Sequence, residues 1–257
     1  MSTVRVNEVE LFVEGTGQGK PLLLIHGLGL DHSIWQLQQP AFSPYFRVVS
    51  YDVRGHGQSS RSVNYSLVDH ARDLAQLMNE LGIEKAHIMG LSMGTYICQQ
   101  FVSLYPERVE KMVLAATKPS GKTSSTQILI EQAQREGKNI DFETVMHIAE
   151  KACFREGVGP EAVQIYRTAS RFDTLESYME AMKALTNFDF SPVLPSVRAQ
   201  TLVINGDEDV LTTLSQARAV HELIPGSKLV VMEHCGHLCN IEQPDVFNRE
   251  VLAFLRD

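Results

Sequence analysis

Gly90-Leu91-Ser92-Met93-Gly94 sets a serine between two glycines at a point where one kind of secondary structure gives way to another. Before it, Lys85-Ala86-His87-Ile88-Met89 has the short, half-apolar character of a buried strand; after it, residues 96–105 contain neither proline nor glycine and read as a helix. A strand that runs directly into a helix brings two backbones close together, so a Cβ two residues before or after the serine would collide with the neighbouring element. The G-x-S-x-G spacing therefore predicts a tight elbow, with the Ser92 hydroxyl exposed at its apex and a helix N-terminus beneath it. Unpaired N–H groups and aligned peptide dipoles at such a terminus favour developing negative charge, which is what acyl transfer requires.

A serine hydroxyl is a weak nucleophile at neutral pH. It needs a histidine to take its proton and a carboxylate to orient that histidine. Both residue types follow downstream. Residues 199–205 form a strand by their β-branched content and open into Gly206-Asp207-Glu208-Asp209, and residues 228–232 form another that opens into Glu233-His234-Cys235-Gly236-His237. Each group leaves the end of a strand, where open α/β sheets place their ligand crevice.

Strand and helix alternate from about residue 21 to 116, which predicts a parallel central sheet with helices on both faces. Residues 9–14 add an antiparallel edge. Leu67, Ala71, Leu74, Leu77, Met78 and Leu81 recur at helical spacing, and Gly82 supplies the stop, so residues 68–81 read as a crossover helix. From residue 118 to about 195 helical pieces take over, including 142–154, 160–169 and 175–185. Pro119-Ser120-Gly121 and Ser191-Pro192 with Pro195 bound this insertion. The expected organisation is a core of residues 1–117 and 196–257, with residues 118–195 inserted as a helical cap. Gly15-Thr16-Gly17-Gln18-Gly19 precedes a strand instead of following one, so it reads as a hairpin turn and not as a phosphate loop.

With 257 residues the chain can bury a sizeable core. Its formal charge of −8 disfavours nucleic acid and anionic membrane as partners, since both demand a basic surface. No segment approaches about 18 consecutive apolar residues, and Met1-Ser2-Thr3-Val4-Arg5-Val6 lacks the features of a secretory signal, so a cytoplasmic location is expected. Cys98, Cys153, Cys235 and Cys239 stand at irregular spacings that fit reduced thiols.

Five blocks in order resemble the α/β-hydrolase superfamily over nearly the whole chain: His26-Gly27-Leu28-Gly29 after strand 21–25, Asp52-Val53-Arg54-Gly55-His56-Gly57-Gln58-Ser59 after strand 46–51, the elbow, the acid loop and the histidine loop. Within it, the run from Ile34-Trp35 to Phe46-Arg47-Val48-Val49 and the Arg54-Gly55-His56-Gly57 turn are most similar to small bacterial carboxylesterases and 3-oxoadipate enol-lactonases. The resemblance implies an α/β-hydrolase fold with a mostly parallel eight-stranded sheet flanked by helices. It also implies roles. Ser92 is the expected nucleophile, His237 the base and then acid, and Asp209 the orienting carboxylate, chosen over Asp207 because relatives place this aspartate three residues after a glycine. Many relatives carry a proline shortly after it, where this chain runs Val210-Leu211-Thr212-Thr213. The oxyanion hole is expected from the backbone N–H groups of Leu28 and Met93. His26 and His56 are expected in the scaffold, with Asp52 and Arg54.

No cofactor and no metal is expected. His234, Cys235, His237 and Cys239 lie close in sequence, but metal ligation by His237 would remove the base that Ser92 requires. Met146, Met179 and Met182 in the cap read as packing more than as a pocket roof, and Phe101, Phe142, Phe188 and Tyr178 are candidate pocket aromatics. Enol-lactonase relatives lead us to look for a tryptophan in the cap, whereas Trp35 lies outside it. The expected activity is hydrolysis of a small carboxylic ester. Enol-lactone and carbon-carbon bond hydrolysis, and a ligand sensor with little turnover, are the rivals. Aspartate-nucleophile dehalogenases and epoxide hydrolases are disfavoured by Ser92.

Overall fold

The computed structural model describes residues 1–172 and 174–257. Its strands are β1 (Ser2–Val6), β2 (Val9–Thr16), β3 (Pro21–Ile25), β4 (Arg47–Tyr51), β5 (Ala86–Leu91), β6 (Val109–Ala115), β7 (Ser120–Gly121), β8 (Phe188–Asp189), β9 (Gln200–Gly206) and β10 (Lys228–Met232). The α-helices are α1 (Gln39–Phe42), α2 (Leu67–Glu80), α3 (Met93–Leu104), α4 (Ser125–Arg135), α5 (Phe142–Cys153), α6 (Pro160–Ala169), α7 (Leu175–Lys183), α8 (Leu214–Leu223), α9 (Cys239–Glu242) and α10 (Pro244–Arg256).

Eight strands form one sheet in the order β1-β2-β4-β3-β5-β6-β9-β10. The pairs β1–β2 and β2–β4 are antiparallel, and every pair from β4 to β10 is parallel. Because side chains alternate across a strand, β3 sends Leu23 and Ile25 into one apolar layer and Leu22 and Leu24 into the other. The first layer is closed by Leu67, Ala71, Leu74, Leu77 and Met78 of α2 and by Ile97, Cys98 and Phe101 of α3. Phe247, Val251, Phe254 and Leu255 of α10 close the second. Each fully buried leucine contributes about 1.5–3 kcal/mol, so both faces hold the sheet firmly behind the site. Ser66 starts α2 with a capping box: its hydroxyl accepts from the Asp69 N–H while Asp69 bonds the Ser66 N–H.

Two local expectations are corrected. The segment 9–14 is not the sheet edge, because β1 pairs outside it across a tight turn at Asn7, whose φ of 47° places it in the left-handed region. Asparagine tolerates that conformation, and it was the available signal for a hairpin. Nor is Gly15–Gly19 a hairpin turn: β2 and β3 are not neighbours, since β4 lies between them. The loop crosses the start of β4, and Gly17, at φ 77°, passes so close that a Cβ would overlap the carbonyl of Phe46.

Between β6 and β9 the chain leaves the sheet. β7 and β8 pair antiparallel, Gly121 opposite Phe188, and α4 to α7 lie between them. Of these, α4, α5 and α7 share a small apolar cluster that includes Ile130, Val145, Tyr178, Ala181 and Met182, with Met146 and Met179 packed against it, while α6 sends Ala162, Tyr166 and Ala169 into the second layer. The three methionines are packing residues here.

Candidate active site

β5 ends at Leu91 and α3 begins at Met93, leaving Ser92 as the only residue between them. Ser92 adopts φ 52° and ψ −117°, a conformation that costs a non-glycine residue on the order of 1–3 kcal/mol. Its surroundings hold it there. Its N–H donates to the Ala115 carbonyl at 2.8 Å, and its own carbonyl accepts from the Thr95 N–H at 2.8 Å and the Thr95 hydroxyl at 2.6 Å. The flanking glycines are required by space: a Cβ on Gly90 would overlap the Gly94 backbone, and one on Gly94 would overlap the Ile25 carbonyl. Gly27 also lies against the elbow, where a Cβ would stand 3.4 Å from the Ser92 Cβ.

A cavity of about 40 Å³ opens beside this serine, lined by Gly27, Leu28, Ser92, Tyr96, Thr212 and His237 on the sheet side. Ser124, Ser125, Cys153, Tyr166 and Tyr178 close it from the inserted helices. A larger hollow of about 890 Å³, between the 54–63 loop and α7, contains none of the expected site residues. Leu28 reaches the cavity in a turn closed by the Leu30 N–H on the Gly27 carbonyl. Met93 is the first residue of α3, where a backbone N–H has no intrahelical acceptor.

His237 is 3% exposed, and its Nδ1 lies 2.8 Å from Asp209 Oδ2. Asp209 is tied down on both oxygens. Oδ1 accepts the N–H groups of Leu211 and Thr212 at 2.8 and 2.9 Å, and Oδ2 accepts the Thr212 hydroxyl at 2.7 Å. Burial works to raise the Asp209 carboxyl, but His237 and the donors from Thr212 outweigh it and hold the group below the usual aspartate range. Asp209 is therefore an anion fixed against the imidazole. Asp207 is exposed and accepts the Cys235 N–H at 3.2 Å, which joins the acid loop to the histidine loop.

The run that departs from the proline-bearing pattern thus supplies a contact that the sequence alone did not reveal. Thr212 Oγ1 touches both Asp209 Oδ2 and, at 3.2 Å, His237 Nδ1. The inserted helices contribute too: the carbonyl of Cys153, at the end of α5, accepts the N–H groups of His237 and Leu238 at 3.2 and 3.3 Å. No signal in the sequence links residue 153 to residue 237.

The other histidines are placed differently. His26 uses both ring nitrogens, Nδ1 at 2.8 Å from the Gly27 carbonyl and Nε2 accepting the Val53 N–H at 3.0 Å, and burial lowers its pKa. His56 is buried against Phe172, with Nδ1 3.1 Å from the Arg54 carbonyl. Arg54 pairs with Asp73, and Asp52 accepts from His32 and the Gln58 N–H. Among the described residues the one group of donors converging within 4.8 Å is Asp31, His32 and Asp52. His32 already donates to Asp52, and Arg171 meets Asp31 at 2.9 Å, so their charges are satisfied within the protein. His234 is exposed, apart from buried Cys235 and Cys239. Of the candidate aromatics only Tyr178 lines the cavity; Phe101 is core, Phe188 stacks on Tyr96, and Phe142 borders another hollow. Trp35 is fully buried away from the cavity.

Residues 20–146 match the α/β-hydrolase fold family, and residues 187–257 match a family described as TAP-like protein. The chain is 30% identical to 3-oxoadipate enol-lactonase 2 of Acinetobacter baylyi over 261 residues, covering 99% of this chain and 96% of that one. The chain belongs to the α/β-hydrolase superfamily. Among solved structures it is similar to an enol-lactonase from Burkholderia xenovorans LB400, with TM-score 0.88, 28% identity and 100% of both chains covered. A malate-bound thermophilic esterase from Thermogutta terrifontis superposes with TM-score 0.87 at 28% identity, covering 100% of this chain and 98% of that one. These relatives are hydrolases, and so is this chain. No helix among the described residues is long and apolar enough to cross a membrane.

Proposed function

We propose that the protein is a serine hydrolase that cleaves a small carboxylic ester through an acyl-enzyme. The observation that carries this reading is that His237, fixed by Asp209, lines the same small cavity as Ser92, which stands at a strained helix start. Ser92 Oγ attacks the carbonyl carbon while His237 Nε2 takes its proton, and Asp209 holds Nδ1–H and balances the imidazolium charge. The oxyanion lies against the N–H groups of Leu28 and Met93, each worth on the order of 10²–10³ in turnover. His237 then protonates the leaving alcohol, and a water activated by the same imidazole releases the acid. The inserted segment 118–195 acts as the cap that shapes the acyl side. The partner is a small ester or lactone, and the chemistry calls for neither cofactor nor metal.

Lactone hydrolysis is the second reading, supported by the two enol-lactonase relatives. Against it stands the absence of a tryptophan from the cap, since the single Trp35 is core. Steady-state hydrolysis of p-nitrophenyl esters from acetate to long acyl chains, with Ser92→Ala in parallel, tests the proposal. Turnover with a short-chain optimum, lost by several orders of magnitude in the variant, is expected; full activity in Ser92→Ala would end it. Labelling without turnover would instead favour lactones, carbon-carbon substrates or a sensor.

A further inference from the structure

The cavity beside Ser92 is small for an ester with two arms. At about 40 Å³ it is well below the roughly 150 Å³ of a protein cavity that binds benzene, so it holds the ester group and little of either arm. The alcohol arm has a direction. Its oxygen must come within reach of His237 Nε2 to take the proton, so the arm points to the histidine side of the cavity. That side is built by α5 and α6. The Cys153 carbonyl accepts the His237 N–H at 3.2 Å, and the neighbouring Phe154 meets the Tyr166 ring edge-on, with 5.6 Å between centroids.

Tyr166 is 6% exposed and lines the cavity. It also lines a second hollow, of about 380 Å³, between α5 and the end of α6. Phe142, Met146 and Phe172 give this hollow apolar walls, and His147, Glu150 and Arg167 stand among them. Glu150 and Arg167 join α5 to α6 by two bonds of 2.7 Å, Arg167 Nε to Oε2 and Nη2 to Oε1, a fork that fixes the spacing of the two helices. The hollow is therefore a fixed feature of the inserted helices, and Tyr166 is the side chain common to it and the catalytic cavity.

We propose that Tyr166 is the partition between the ester group and an alcohol site in the α5–α6 hollow, which takes an unbranched apolar alcohol arm once the ring turns aside. This deepens the esterase reading and rests on it. Where it stands, the ring disfavours any alcohol longer than the cavity admits. One methylene more than an apolar pocket seats is worth about 10- to 200-fold in discrimination. Tyr166 touches the arm and takes no part in proton transfer.

Hexyl acetate and methyl heptanoate are isomers that carry the same hexyl chain on opposite sides of the ester group. Their kcat/KM ratio, hexyl acetate over methyl heptanoate, is expected to rise about tenfold or more in Tyr166→Ala. An unchanged ratio overturns the proposal, whether the chain leaves by another route or Tyr166 only packs the second layer. Adding His147→Trp refills the hollow from its exposed rim and is expected to reverse the rise. A rise that survives it places the chain in the space vacated by the ring, which also overturns the proposal. If Tyr166→Ala does not fold, His147→Trp alone decides: the ratio is expected to fall, and an unchanged ratio overturns the alcohol site. Calorimetric titration with 1-hexanol separates this idea from the esterase reading. Should neither ester turn over, the esterase reading fails, while tighter hexanol binding in Tyr166→Ala, cancelled by His147→Trp, upholds the site and any other result overturns it.

Discussion

At the scale of single residues the site depends on which oxygen meets which proton. Asp209→Asn keeps the shape of the acid loop but changes the imidazole tautomer that the side chain supports, and a fall in kcat on the order of 10⁴ is expected. Asp207→Asn, on an exposed residue whose side chain can still accept the Cys235 N–H, is expected to stay within about twofold, because isolated surface changes are small in effect. Comparable losses in the two variants would show that the carboxylate role is misassigned. Thr212→Val removes one donor from Asp209 Oδ2 without changing shape, and steady-state kinetics should give about a tenfold loss in kcat with KM little changed. The Ser92, Asp209 and His237 set was legible because each residue sits in a short motif at a strand end. Thr212 was visible only as a departure from a pattern, because its contacts with Asp209 and His237 are made by tertiary packing.

At the scale of elements, the elbow works because β5, α3 and β3 converge with no room for side chains. Gly94→Ala would drive a methyl into the Ile25 carbonyl, a backbone atom that cannot swing aside, and urea denaturation should show a loss of about 3 kcal/mol or more. An unchanged midpoint would mean that the elbow is looser than described. This crowding was readable from the two glycines alone, and so was the amphipathic stripe of α2. The hairpin β1–β2 and the crossing at Gly17 were not, because strand order is set by which apolar faces meet and not by the residues of one loop. Helix α4 was passed over although Ser124 marks its start and Thr126, Ile130 and Ala133 fall on one buried face, because Ile130 is the one large apolar side chain on that face. The bonds from the Cys153 carbonyl to the N–H groups of His237 and Leu238 tie α5 to the histidine loop. Any outward movement of the inserted helices therefore loosens His237 as it opens the cavity.

At the scale of the whole molecule, the fold buries histidines that must stay neutral. Among the described residues His70 has no hydrogen-bond partner on either ring nitrogen, and burial pushes its pKa down to about 3; His56 is lowered well below its ordinary value by burial and by His26. Between the unfolded value near 6.5 and these depressed values the unfolded chain binds protons that the folded chain refuses. Stability is thus fully present above about pH 6.5 and is lost on acidification, by about 1.4 kcal/mol per pH unit for each such histidine. His32, whose pKa is raised despite burial by its bond to Asp52, works in the opposite direction. Thermal unfolding followed from pH 7 to pH 4.5 should show a falling midpoint, and His70→Leu should flatten the fall; a midpoint that rises on acidification would contradict this. The central claim is that acyl transfer passes through Ser92, in a cavity that the Cys153 thiol also lines. Burial raises that thiol far above neutrality, so it is not the expected nucleophile. The most direct measurement is peptide mass spectrometry of protein treated with a fluorophosphonate. One adduct on the peptide containing Ser92, absent from Ser92→Ala and from protein unfolded before treatment, is the predicted result; no adduct, or an adduct on any other residue, would contradict it.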